Sequence, residues 1–321
     1  MCLETKPLVS IFCLVYNHED YIRECLDGIL SQECAFRYEV VVHDDASTDS
    51  SASIIKEYQA KFPEVIRPIF QSENHYKKIG FNGIIKLMNS HCSGRYAAFC
   101  EGDDYWIDPR KLQKQVDFLE SHPDYSMCCS DARIKSPDGE LDWCRYRRNC
   151  DAPLNDIING GGYFIPTPSL MFRRLILSCN IPECHVADYP LQIFCALKGK
   201  VYWFCEKQVV YRYKSESSWS KNIRSLSVKV KLPGWISEIE MLKAMDRLSG
   251  GVYSKLFKKR IADFIASVIC VEYDSYDILY DALKDYMPCF TFRHRFKLYF
   301  FSRHHQLYRL FMKAYYTIQK L

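Results

Sequence analysis

The chain has 321 residues, long for one small domain and short for three. Apolar residues make up 48% and charged residues 26%, with 13 Gly and 13 Pro, which excludes a mainly disordered chain and a collagen-like or low-complexity one. The formal charge of +4 is unevenly spread: seven of the 43 Lys/Arg and none of the 39 Asp/Glu lie from Met287 to Leu321, so the preceding residues carry a slight acidic excess.

The first 130 residues alternate two periods. Leu8–Val15 is a short apolar run with β-branched residues, expected as a buried strand. Ile22, Cys25, Leu26, Ile29 and Leu30 then fall on one face of a helix over Tyr21–Gln32. Tyr38–His43 predicts a second strand. Ser47–Phe62 predicts a second helix, with Ile54, Ile55, Tyr58 and Phe62 as its stripe and Ser47 or Thr48 as its cap. Val65–Gln71 and Tyr96–Cys100 are the third and fourth strands. Asp108-Pro109 opens a further helix, Asp as N-cap and Pro at the first position, with Leu112, Val116 and Leu119 turned inward. Tyr125–Ser130 is strand-like again. Residues 131–222 are less regular, with a basic stretch at Trp143–Arg148 and a Gly160-Gly161-Gly162 turn, and 223–321 are mainly helical.

Repeated β-α-β units imply a mostly parallel sheet with helices on both faces, and such sheets bind ligands beyond the carboxyl ends of their strands. The loops after strands 1, 2 and 4 read YNHED, DDASTDS and EGDDYW. In the last, Glu101, Asp103 and Asp104 place three carboxylates within four residues. Their repulsion calls for a cation, and hard oxygen ligands select Mg²⁺ or Mn²⁺; a solvated acidic turn accounts for the same letters equally well. Gly102 suits a tight backbone turn. At the second strand end, Asp44 and Asp45 can accept hydrogen bonds from a base or from ribose hydroxyls. Tyr16, at the end of the first strand, can stack on a planar base or simply pack.

Three blocks, PLVSIFCLVYNHEDYIRECLDGILSQ, YEVVVHDDASTDSS and AAFCEGDDYWIDPRKLQKQV, together resemble the nucleotide-sugar half of family 2 glycosyltransferases. These are inverting enzymes of the GT-A fold. The likeness is close over residues 7–130 and looser to about 220. It implies a GT-A domain, its nucleotide-sugar half at 1–130 and its acceptor half at 131–222, followed by a helical region at 223–321. It also implies a nucleotide-diphospho-sugar donor and a saccharide or lipid-linked saccharide acceptor, in surface polysaccharide, lipopolysaccharide or capsule biosynthesis. Tyr16 and Glu19 match positions lining the nucleoside pocket, and Asp44, with Asp45 beside it, matches the aspartate that contacts the base. Glu101-x-Asp103 followed by Asp104 stands where the family carries Asp-x-Asp, with Asp103 first and Asp104 second as metal ligands and Glu101 beside the donor.

An inverting transfer is one in-line displacement, so it needs a base for the acceptor hydroxyl and an electrophile for the departing diphosphate. Asp188 matches the family's base; it is also a fitting cap for a helix over Tyr189–Leu197. Thr167 and Ser169 lie in a segment that resembles the family's acceptor-side strand, where they either meet the acceptor or donor sugar or serve equally well as structural hydroxyls. In Val210–Lys214, Arg212 or Lys214 is a candidate for the diphosphate, and Lys214 stands where relatives carry His.

Sixteen cysteines suggest a disulfide scaffold only in a small secreted chain. Here no signal peptide is evident, no Cys-x-x-Cys occurs, and Cys13 and Cys100 sit in strand-like runs, so reduced thiols in a cytoplasmic protein are the expectation. Cys179, Cys184 and His185 lack the spacing of a zinc site. No run approaches ~18 apolar residues, so no membrane span is expected. The tail pairs a stripe of Leu307, Leu310, Phe311, Ala314, Tyr315 and Ile318 with Arg303, Arg309, Lys313 and Lys320, as an interfacial helix on an anionic membrane would, or equally a packed terminal helix. Nucleic acid is disfavoured because the crevice is acidic. A nucleotide-sugar-binding scaffold without turnover is the alternative to an enzyme; a nucleotidyltransferase would need a glycine-rich basic loop that YNHED does not supply.

Overall fold

A computed structural model describes residues 6–186, 188–213, 226–272, 275–296 and 299. The chain divides into two compact units, Met1–Ser225 and Leu226–Leu321.

The first unit is built on one ten-stranded sheet. Strands β1 (Val9–Val15), β2 (Tyr38–Asp44), β3 (Ile66–Phe70) and β4 (Tyr96–Phe99) pair in parallel, in the order β3-β2-β1-β4. The sheet continues through β9 (Met171–Arg173), which runs antiparallel to β4 and to β6 (Tyr125–Ser136). The long β10 (Lys200–Arg212) then pairs with β6 in parallel and, at the far edge, with the two-residue β5 (Tyr105–Trp106) in antiparallel. Off this path, β7 (Gly139–Trp143) pairs with β6 and β8 (Cys150–Asp151) with β10.

Alternation along β1 separates the two faces. Val9, Ile11, Cys13 and Val15 join the core formed with α1 (Ile22–Leu30), α2 (Ser51–Lys61) and α4 (Lys111–Ser121). On the opposite face Phe12 meets Phe99 at 5.3 Å, and Phe99 stacks on Phe172 at 5.9 Å and on Phe81 of α3 (Tyr76–Ser90) at 6.4 Å. The strands of the parallel block are buried on both sides, which is why they read as continuous apolar runs rather than as alternating ones.

Two helices begin later than expected. Ser47 is irregular and residues 48–50 form bends, not the first turn of α2, because Asp49 Oδ1 accepts the Ser51 amide at 2.9 Å and Asn17 Oδ1 accepts the Thr48 amide at 2.8 Å. Neither Ser47 nor Thr48 caps α2. Likewise Asp108 caps a turn, taking the Arg110 amide on Oδ1 at 2.9 Å, and α4 starts at Lys111. Segment 131–212 is more regular than it reads, holding β7 to β10, α5 (Leu154–Gly160) and α6 (Asp188–Lys198).

The second unit contains helices Val228–Leu248, Ser254–Val271 and Tyr276–Leu283. Ile239, Leu242, Met245, Phe257, Ile261, Ile265, Ile269 and Leu279 are buried in it. Glu238, itself buried, receives Arg260 at 3.1 Å. No described helix is long and apolar enough to cross a membrane. Residues 301–321, with the basic aromatic stripe, lie outside the described residues, as does Lys214.

Candidate active site

The carboxyl ends of β1 and β2 are laced together by side chains. The Asn17 amide donates to Ser47 Oγ at 2.9 Å and the His18 amide to Ser51 Oγ at 2.8 Å. The Glu19 amide donates to Asp49 Oδ2 at 3.0 Å, and Glu19 Oε2 accepts the Ser50 amide at 2.9 Å. Asn17 and Ala46 both adopt left-handed backbone conformations, φ 56° and 60°. Asn tolerates this; Ala pays about 1 kcal/mol for it, a cost borne where the loop bends over the strand end.

Beside this lacing lies Asp44, buried, with Oδ2 accepting the Ser47 amide at 3.3 Å and Oδ1 without any partner among the described residues. A buried carboxylate oxygen left unmet is costly and marks a place where a donor from outside belongs. Asp45 behaves differently: its two oxygens accept the amides of His75 and Tyr76 at 2.6 and 3.0 Å, fixing the start of α3. Tyr16 is 41% exposed at the mouth of the same strand end.

The acidic turn follows β4. Ligand atoms of Glu101, Asp103 and Asp104 all lie within 4.8 Å of one another, and this is the only such group among the described residues. Gly102 is required by proximity rather than by a strained turn: its amide donates to Leu14 O at 2.8 Å, and an added Cβ would stand 2.7 Å from His18 Nδ1. Burial first, and Asp103 next, push Glu101 up to about 8. The same two causes raise Asp104 far above the carboxylate range. Asp104 Oδ1 accepts the Arg212 amide at 2.8 Å, while its buried Oδ2 has no partner among the described residues. Crowded, mutually repelling oxygens with one buried lone-pair site unmet are a donor set that fits a hard divalent cation.

Arg212 holds this turn from below. Its Nη1 donates to Asp103 O at 2.5 Å, its Nη2 pairs with Glu24, and its guanidinium lies 4.6 Å from the ring of Tyr105 and 5.0 Å from that of Tyr21. The guanidinium is thus engaged with the protein. Beneath the turn, Cys25 Sγ stands 3.9 Å from Cys13, 3.7 Å from Cys100 and 3.4 Å from Glu101 O, a small polarizable packing for a tight corner.

Asp188 opens α6. Its Oδ2 accepts Thr167 Oγ1–H at 3.0 Å and Gln192 Nε2–H at 2.8 Å. Burial raises it to about 6 against the lowering effect of those two donors, and its charge is one of the influences that raise Glu101. The fold therefore brings Asp188 within electrostatic reach of the acidic turn, 84 residues downstream of Asp104. Ser169 instead turns its hydroxyl onto Pro166 O at 2.7 Å. One further residue belongs here that the reading of the sequence passed over. Tyr211 is raised by burial and then by the charges of Asp104, Glu101, Asp103 and Asp188. Its only sequence signal was its place beside Arg212.

The family model described as Glycosyl transferase family 2 matches residues 10–179. The uncharacterized protein Rv1520 of Mycobacterium tuberculosis is 38% identical over 216 residues, 66% of this chain and 60% of that one. The putative teichuronic acid biosynthesis glycosyltransferase TuaG of Bacillus subtilis is 34% identical over 114 residues, 36% of this chain and 42% of that one. The chain thus spans less than two thirds of the length of either relative. Among solved structures, the mannosyltransferase PcManGT of Pyrobaculum calidifontis, in complex with GDP-Man and Mn²⁺, superposes with a TM-score of 0.54 at 15% identity, over 94% of this chain and 81% of that one. The shared architecture is the GT-A fold.

Proposed function

Because the chain belongs to glycosyl transferase family 2, we propose that it moves a sugar from a nucleoside-diphosphate sugar to a saccharide or lipid-linked saccharide hydroxyl with inversion, in the assembly of a surface polysaccharide. What supports this is a pair of carboxylate sets that influence one another, since the Asp188 charge is among those that raise Glu101. Glu101, Asp103 and Asp104 crowd within 4.8 Å. Asp188 is held by Thr167 and Gln192. A nucleotide-sugar complex with Mn²⁺ in a structural neighbour supports the same reading.

Asp103 and Asp104 would hold Mn²⁺ or Mg²⁺. When bound, the ion would neutralise charge on the diphosphate leaving group. Asp44, through its unmet Oδ1, would accept a base N–H, and Tyr16 would cover the base; Glu19 shapes the same pocket through the Ser50 amide. Asp45 supports it by fixing α3. Arg212 keeps the acidic turn in place. Asp188 would take the proton from the acceptor hydroxyl as that oxygen attacks the anomeric carbon and the bond to the diphosphate breaks. A base pushed up to about 6 is ionised near neutrality yet accepts a proton more readily than an ordinary aspartate. The protein would act on the cytoplasmic side, with the basic tail from Met287 onward resting on an anionic membrane.

The test is nucleoside diphosphate release from a panel of nucleotide sugars with Mn²⁺ present, compared between wild type and Asp188→Asn. Wild type should turn over at least one donor. The variant should lose turnover by about 10³-fold or more while donor affinity, read by calorimetry, survives. Near-normal turnover in the variant removes Asp188 from the mechanism; donor binding without any release in wild type favours the scaffold alternative.

A further inference from the structure

The hairpin β6–β7 leaves the main path of the sheet and carries its last residue, Trp143, opposite Ala132. Ala132 in turn pairs with Val209, two residues before Tyr211 on β10, so Trp143 and Tyr211 rise from the same face. Their rings meet edge to face, centroids 5.4 Å apart and planes at 88°, forming an aromatic corner. The corner is braced from behind. The Arg145 guanidinium lies 5.7 Å from the Trp143 ring, with Nε donating to Phe164 O at 3.2 Å and Nη2 to Tyr163 O at 2.5 Å. The Arg145 amide reaches Asp131 Oδ1, which also takes Trp203 Nε1–H at 2.7 Å.

Trp143 packs against the hydrophobic core, and two further features mark the corner. The indole N–H of Trp143 is buried with no acceptor among the described residues, a cost of about 1–3 kcal/mol. A tryptophan kept where its polar edge goes unmet is kept for its ring. The Tyr211 phenol has no hydrogen bond among the described residues and offers an O–H donor; Arg145 ties the corner to Phe164 O, and Gln192, which donates to Asp188, also reaches the neighbouring Ile165 O at 3.4 Å. Aromatic faces carry negative charge density and attract the polarised C–H bonds of a pyranose ring, while a nearby hydroxyl fixes its orientation.

We propose that Trp143 and Tyr211 form the platform for the acceptor saccharide, Trp143 stacking on one face of a pyranose and Tyr211 donating to a sugar oxygen next to the hydroxyl that Asp188 deprotonates. The inference rests on the transfer reading above and names the part of its acceptor that the protein grips. The nucleoside-binding ends of β1 and β2 lie across the acidic turn from β10, which leaves the β6–β10 side to the second substrate.

The test uses the full chain and a donor that wild type turns over, with p-nitrophenyl glycosides of glucose, galactose, mannose and N-acetylglucosamine as acceptor probes. At least one glycoside should stimulate nucleoside diphosphate release by wild type. Trp143→Leu should raise the half-saturating glycoside concentration by about tenfold or more, with the donor Kd moving far less. Tyr211→Phe should lower maximal stimulation and leave stacking in place. Trp143→Phe keeps an aromatic face and should recover most of the glycoside affinity, which separates loss of stacking from loss of folding. The proposal is overturned if no glycoside stimulates wild type, if Trp143→Leu leaves the glycoside dependence unchanged, or if it weakens donor binding as much as acceptor use. Donor release without any glycoside response sinks the platform alone, whereas absence of donor turnover sinks the transfer reading itself.

Discussion

At the ends of β1 and β2 the crevice wall is held by hydrogen bonds between neighbouring loops, Asn17 to Ser47 and Thr48, His18 to Ser51, and Glu19 to Asp49 and Ser50. On the β6–β10 side it is held by one pair of polar contacts at Asp188 and by the rings of Trp143 and Tyr211. The first wall is cross-linked from loop to loop, with Asp44 Oδ1 left unmet among the described residues. The second is lined by aromatic faces that tolerate different occupants at small cost to the fold. Under the transfer proposed above, the first wall serves the donor and the second the acceptor.

The comparison can be broken most severely at the acidic turn, which both walls share. Asp104→Asn and Glu101→Gln should each cost activity by about 100-fold or more while making the metal-free protein more heat-resistant, by roughly 2–4 °C for each kcal/mol of repulsion removed. Glu101 is raised from 4.5 to about 8 in the fold, so its ionisation opposes the native state. The stabilising contribution of its neutral form is complete below the unfolded value and is lost as pH rises through the folded one. Melting temperature without metal should therefore fall between about pH 4.5 and 8, and added Mn²⁺ should restore it. A flat melting profile, or a destabilised Gln variant, would show that the turn is not electrostatically strained.

A smaller effect should sharpen the contrast on the donor side. Asn17→Ala removes the acceptor of the Thr48 amide and places a second alanine in a left-handed conformation. It should weaken donor binding by about 1–2 kcal/mol, tenfold or so, with little change in glycoside dependence. Equal losses toward both substrates would show that the walls are not independent.

The mildest change belongs to Thr167→Val. The Thr167 hydroxyl stabilises the ionised form of Asp188, so its removal should move the acidic limb of the rate profile upward from about pH 6 with little loss on the plateau. A limb that stays in place would mean that another group controls it.

Legibility in the sequence followed the same division. β1, β2 and β4 and their acidic loops were readable because both strand faces are apolar and each motif is contiguous. α3 was not, because Lys77, Lys78, Gly80 and Gly83 interrupt its stripe and Gly80 kinks it at φ 64°. β9 was not placed, since three residues running antiparallel between β4 and β6 carry no periodic signal. The stretch at Trp143–Arg148 read only as basic and irregular; the ring that Trp143 meets, Tyr211, comes from a strand almost seventy residues on. Asp188 was found through its family likeness, while its partner Thr167 was left between two roles that only long-range packing distinguishes.

The pairing of β5 with β10 has a consequence for the order of synthesis. Tyr105 leaves the ribosome just after Asp104 but meets its partner, Val210, only when β10 has emerged, and the Arg212 amide that Asp104 accepts comes later still. A nascent chain can assemble the wall around Asn17 and Asp44 early, yet its carboxylates stay unclamped until more than one hundred further residues are made. Chain order alone thus delays the clamped acidic turn until the strands of the first unit have been made.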